Sequence, residues 1–120
     1  MSLMHVDFEV CPVNNTDPAR CRTVRGALVD TGSEHAFIPP EIFDAITAPT
    51  GREVGELGDG SGFEYDIGPA AIRFRGLLRT TDIARSAPGQ EPILGVLALE
   101  ALGLKLDPRR GTLETRKRHR

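Results

Sequence analysis

A chain of 120 residues, 39% hydrophobic and 27% charged, fits one domain with a modest core, since small domains typically run about 100 to 150 residues. A formal net charge of −2 speaks against a nucleic-acid partner, which selects a basic surface. No apolar run approaches the roughly 18 residues of a membrane span, and no basic region followed by an apolar signal core opens the chain, so a soluble, cytoplasmic protein with no membrane partner is expected.

Met1-Ser2-Leu3-Met4 offers two starts; residues 1–3 are read as vector-derived and the domain as 4–115. His5 to Val10 alternates, with Val6, Phe8 and Val10 on one face, and reads as a half-buried strand. Cys11 and Cys21 flank the polar loop Asn14-Asn15-Thr16-Asp17-Pro18 and could face each other across a hairpin. A single pair without a secretory signal is expected as two reduced thiols, and without further ligands beside it as no metal site. Arg22 to Val29 is the second strand; its end, Ala27-Leu28-Val29, is continuously apolar, as in a segment buried on both faces. Phe37-Ile38-Pro39-Pro40 returns as a short strand, and Glu41 to Ile46 forms a brief helix started by Pro40.

Glu53 to Gly76 reads as a long hairpin turned by Gly58-Asp59-Gly60-Ser61-Gly62, a glycine density that permits positive φ. Ala71 to Arg75 returns as a strand, Gly76 marks a turn, and Leu77 to Ile83 follows as another. After the loop Pro88-Gly89-Gln90-Glu91-Pro92 comes a second apolar strand, Ile93-Leu94-Gly95. A short helix over Leu97 to Leu102 is capped by Gly103. Leu104-Lys105-Leu106 and Thr112-Leu113-Glu114 make a last hairpin. The basic tail 116–120, with Arg116, Lys117, Arg118 and Arg120, is expected to be solvated and disordered.

Chemistry concentrates in Ala27-Leu28-Val29-Asp30-Thr31-Gly32-Ser33-Glu34, an apolar strand ending in a carboxylate, a hydroxyl and a glycine. An aspartic-protease-type site needs two such carboxylates sharing one proton, because like charges that close cannot both ionise. The run occurs once, so the second carboxylate must come from another copy, and a two-fold homodimer is expected. His35 sits beside this loop, but a histidine base would duplicate work the carboxylates do.

The run Ala27 to Glu34, the glycine-rich hairpin about thirty residues later, and Ile93-Leu94-Gly95 followed by a short helix and a last strand occur in the order of one family. The chain resembles the retropepsin-like aspartic proteases, of the cellular and bacterial single-domain type. The resemblance implies a mostly β fold, a small closed barrel of the acid-protease type with one short C-terminal helix, acting as a homodimer on polypeptide. It implies Asp30 as the catalytic aspartate, Thr31 bracing the two carboxylates, and Gly32 letting the backbone pass close to substrate. Ser33 and Glu34 match substrate-binding positions, and Gly58, Asp59, Gly60, Ser61 and Gly62 match the tip of the flap that closes over bound peptide. No cofactor or metal is called for. Two features depart from viral members. Asp59 replaces an apolar tip and is read as facing solvent. Val96 replaces an arginine that pairs with the acidic residue of the loop, leaving Arg20, Arg22, Arg25 or the substrate as partners for Glu34. The groove walls are assigned to Ile38, Ile93 and Leu94. The alternative reading is a catalytically silent dimer of the same fold that binds peptide or protein.

Overall fold

Val6, Phe8 and Val10 turn one face of strand β1 (His5–Cys11) inward in the computed structural model, which describes residues 3–116. Strand β2 (Arg22–Val29) pairs antiparallel with β1 through a bulge: Val6 faces Ala27 and Phe8 faces Val24, so Arg25 and Gly26 together oppose Asp7. Gly26 takes φ 64°, open to glycine at little cost, and its N–H donates to Asp7 Oδ1 at 2.8 Å. Beyond the bulge Ala27 and Val29 enter the core while Leu28 stays half-buried.

The remaining elements are a single 3-10 turn (Pro18–Arg20) between β1 and β2, then β3 (Ala36–Ile38), α1 (Pro40–Ile46), β4 (Gly51–Glu56), β5 (Gly62–Phe74), β6 (Leu77–Arg85), β7 (Ile93–Leu94), α2 (Val96–Ala101), β8 (Leu104–Asp107) and β9 (Thr112–Thr115). Strands hold 49% of the chain and helices 14%, so the fold is mostly β. Seven strands form one sheet in the order β1-β2-β7-β3-β6-β5-β4, and β1 also pairs with β5, which closes the sheet into a ring with β4 attached outside it. Phe8, Val24, Ile38, Phe43, Ile72, Ile83, Leu94 and Leu99 fill a single core. Two helices flank the ring, α1 as well as the C-terminal α2, and Gly103 at φ 71° ends the latter.

The long hairpin differs from expectation in one respect: its second strand runs unbroken through Gly68 and Pro69 to Phe74. Gly68 is needed there because a Cβ would lie 2.7 Å from the Ala48 carbonyl oxygen, so the strand continues by packing bare backbone against the loop after α1. Arg116 N–H donates to Gly103 O; residues 117–120 of the basic tail, with Met1 and Ser2, lie outside the described residues. Among the described residues no helix is long and apolar enough to cross a membrane.

The cysteine expectation is corrected. Cys11 and Cys21 form a disulfide, with Cα atoms 4.2 Å apart, buried against Ala71. The antiparallel pairing of β1 and β2 brings the strand ends together, and Arg73 Nη2 secures the intervening loop by donating to Thr16 O at 2.9 Å. Closing a loop of sequence separation 10 restricts the unfolded chain by about 3 kcal/mol. Cys21→Ser should therefore lower unfolding free energy by about that amount in urea, and reductant should bring the wild type down to the variant. Equal stability of the two under oxidising conditions would mean that the bridge holds nothing.

Candidate active site

β7 runs parallel to β2 and antiparallel to β3, so the segment linking β2 to β3 has to cross the end of β7. That crossing fixes the Asp30 loop. Asp30 N–H donates to Leu94 O at 3.1 Å, Val96 N–H to Ser33 O at 2.8 Å and Leu97 N–H to Glu34 O at 3.0 Å, so the loop is clipped at both ends to β7 and the first turn of α2. Gly95 makes the crossing possible: a Cβ there would stand 2.7 Å from Ser33 O and closer still to His35 O. Within the loop Asp30 Oδ1 accepts the Gly32 N–H at 2.9 Å, and Ser33 Oγ donates to His35 O at 2.9 Å. Asp30 is half-buried at the mouth of the ring, with Thr31, Gly32 and Glu34 exposed and Ser33 half-buried. A carboxylate so oriented can accept a proton; a second group must supply one.

None of the three arginines reaches Glu34. Arg25 lies 3.9 Å from Asp7, Arg22 Nη1 donates to Cys21 O, and no ion pair among the described residues involves Arg20 or Glu34. Val96 spends its backbone N–H on Ser33 and offers no charge.

Gly58 to Gly62 are all exposed at the tip of the β4–β5 hairpin, with Gly60 at φ 85°. The tip is closed by Leu57 N–H donating to Ser61 O, and Asp59 Oδ1 accepts both the Ser61 hydroxyl at 2.6 Å and the Ser61 N–H at 2.9 Å. The hydroxyl and then the backbone N–H hold the Asp59 carboxyl below the usual carboxylate range. Asp59 is thus solvent-exposed while serving the turn itself. No hydrogen bond or ion pair among the described residues joins 58–62 to 30–34.

Directly opposed residues of an antiparallel pair share a face, and Glu53 opposes Tyr65 while Gly55 opposes Phe63. The Phe63 ring lies over Gly55, leaving no room for a Cβ. Phe63, Tyr65 and Phe37 follow one another with ring centroids 5.6 and 4.9 Å apart. Beside them a cleft of about 510 Å³ opens between the hairpin and the 85–91 segment, lined by Phe37, Leu57, Phe63, Tyr65, Pro88 and Ile93 among others. Two of the expected groove walls are corrected here. Strand alternation sends Ile93 outward into the cleft, whereas Ile38 and Leu94 point inward and are fully buried in the core. Asp30 to Glu34 adjoin this cleft along the chain but do not line it.

Sequence reasoning passed over the residue that links loop and hairpin. His35, only 3% exposed, bonds through Nε2 to Glu53 Oε2 at 2.7 Å, and the Tyr65 hydroxyl donates to the same oxygen at 3.3 Å. Burial first and the Glu53 charge second push the Tyr65 phenol above its ordinary value. The available signal was a histidine opening the apolar run Ala36-Phe37-Ile38, since a polar group in a buried strand needs a partner. Glu34, His35 and Glu53 bring three possible metal-donor atoms within 4.8 Å of one another. His35 Nδ1 is buried with no hydrogen-bond partner, whereas a ligating imidazole ordinarily donates from its far nitrogen; within the group His35 and Glu53 share a hydrogen bond, and none among the described residues joins Glu34 to either.

A scan of protein-family models finds no match to this chain, and no curated protein matches it.

Proposed function

We propose that the chain is a retropepsin-like aspartic endopeptidase, its ring the acid-protease barrel, acting on extended polypeptide as a two-fold homodimer without cofactor or metal. The observation that carries this reading is the Asp30 loop: a part-exposed carboxylate at a strand end, oriented by the Gly32 N–H and clipped to β7 and α2. A second copy brings its own Asp30 against the first. One carboxylate, ionised, accepts a proton from water as its oxygen attacks the peptide carbonyl carbon; the other, protonated, donates toward the carbonyl oxygen, and the two titrate as one pair. Thr31, exposed and free to reach across the two-fold axis, braces the pair. Gly32, Ser33 and Glu34 meet the substrate main chain from below, and Gly58, Asp59, Gly60, Ser61 and Gly62 cover it from above, excluding water.

The reading keeps the enzyme in the cytoplasm. The Cys11–Cys21 bridge pulls toward an oxidising compartment, and alkylation of thiols in freshly lysed cells decides between them.

Because each site is assembled only on association, specific activity should fall in step with the dimer fraction as the protein is diluted. Sedimentation velocity paired with cleavage of an unfolded protein at mildly acid pH measures both. Activity that stays flat down to a monomeric sample would overturn the reading. A stable dimer that cleaves nothing across a broad peptide library would leave the groove as a peptide-binding surface.

A further inference from the structure

We propose that His35 and Glu53 are positioning residues, forming a latch that sets the β4–β5 hairpin over the Asp30 loop. The catalytic consequence rests on the endopeptidase reading; the latch itself does not. Among the described residues the His35–Glu53 hydrogen bond is the one polar side-chain link between residues 30–38 and the hairpin. Its two ends differ in rigidity. The His35 carbonyl accepts from Ser33 Oγ and lies against Gly95, so the imidazole projects from the most tightly crossed backbone in the fold. Glu53, by contrast, sits on β4, which pairs only with β5 at the outside of the ring.

The proton on the latch has one place to be. Nδ1 is buried without a partner, so a proton there would be an orphaned donor, and Nε2 carries it and donates to the Glu53 carboxylate. Charge-assisted bonds of this kind are about twice as strong as neutral ones. The Tyr65 hydroxyl adds a second donor to the same oxygen, and its ring packs edge-on to His35 with centroids 5.9 Å apart. Glu53 and Tyr65 are cross-strand partners, so the bond holds both hairpin strands at once. From Glu53 to the tip at Asp59 is six residues, about 20 Å of extended chain, so a small rotation at the latch becomes a large displacement of the tip. Holding Glu53 also keeps Phe63, on the same face, turned toward the cleft.

The test compares amide hydrogen exchange at 53–63 and steady-state cleavage of a peptide substrate in wild type, Glu53→Ala, His35→Leu and His35→Gln. Glu53→Ala, at a half-exposed position, retains the fold; exchange across 53–63 should rise about tenfold, with exchange in β1 and β2 unchanged. His35→Leu should do the same, and His35→Gln, whose amide N–H reaches where Nε2 stood, should restore most of the protection. In the cleavage assay KM rises several-fold for the first two variants while kcat falls less. Unchanged exchange at 53–63 in Glu53→Ala, or a rise spread evenly over the ring with no rescue by glutamine, overturns the latch. Were the wild type inactive, the exchange pattern would still decide the latch, and only the endopeptidase reading would fall.

Discussion

Asp30→Asn is expected to abolish peptide cleavage while leaving the chain folded and dimeric. The asparagine carbonyl can still accept the Gly32 N–H that Asp30 Oδ1 accepts at 2.9 Å, and the backbone bond from residue 30 to Leu94 O is untouched. What disappears is the carboxylate that exchanges a proton with water, from both halves of the dyad together. General acid–base catalysis contributes about 10² to 10⁴-fold, and a residual rate below about 10⁻³ of wild type is expected on an unfolded protein substrate. Residual activity near that of wild type would move the chemistry away from this loop.

The assay pH does not undermine the comparison. Arg85 grips Asp44 through two hydrogen bonds at 3.0 and 3.1 Å, fastening β6 to α1, and holds its carboxyl below the ordinary value of 3.8. Asp59 at the hairpin tip is depressed likewise by Ser61. A carboxyl with a lowered folded pKa contributes stability that is complete above its unfolded value and is lost as pH falls through the folded one. Both contacts should therefore persist at pH 5 and fail only below about pH 4. Circular dichroism across that range should show the fold unchanged at the pH of the assay.

Much of the fold was legible because local signals agreed with one another. β2 runs from Arg22 and ends on the apolar Ala27-Leu28-Val29, and the two-residue turn Arg75-Gly76 stands where glycine announced it. The misses share a cause: they depend on which strand lies beside which. Ile38 and Leu94 are as apolar as Ile93, and only the pairing of Phe37 with Ile93 determines that Ile93 faces the cleft while its neighbours fill the core. The disulfide follows from the β1–β2 register, which spacing alone left open. His35 meets Glu53 across 18 positions of sequence, and neither residue reads as special until the fold brings the start of β3 against the β4–β5 hairpin, to which it is not paired in the sheet through β4. The Asp30 loop was the easier part, since its chemistry sits in consecutive residues.

Gly95→Ala should be the most damaging small substitution in the chain. At φ −91° the backbone accepts alanine, so removing glycine's excess freedom in the unfolded state would ordinarily stabilise by about 0.4–1 kcal/mol. Here the new methyl has no room. Its nearest neighbours are the backbone of Ser33 and His35, which cannot swing aside as a flexible side chain would, because Ser33 O is already bonded to Val96 N–H. Relief requires lifting the 33–35 segment off α2, which breaks the clips on the Asp30 loop and carries His35 away from Glu53. Overpacking against rigid surroundings costs about 1–3 kcal/mol, and with those hydrogen bonds strained the upper end, about 3 kcal/mol in urea unfolding, is expected, with cleavage lost even in the fraction that folds. Gly58→Ala is the matched control: a Cβ there meets nothing within 4 Å, and its stability should stay within about 0.5 kcal/mol of wild type. If the two variants unfold together, the loop does not rest on Gly95, and the positioning of Asp30 must be sought in some other contact.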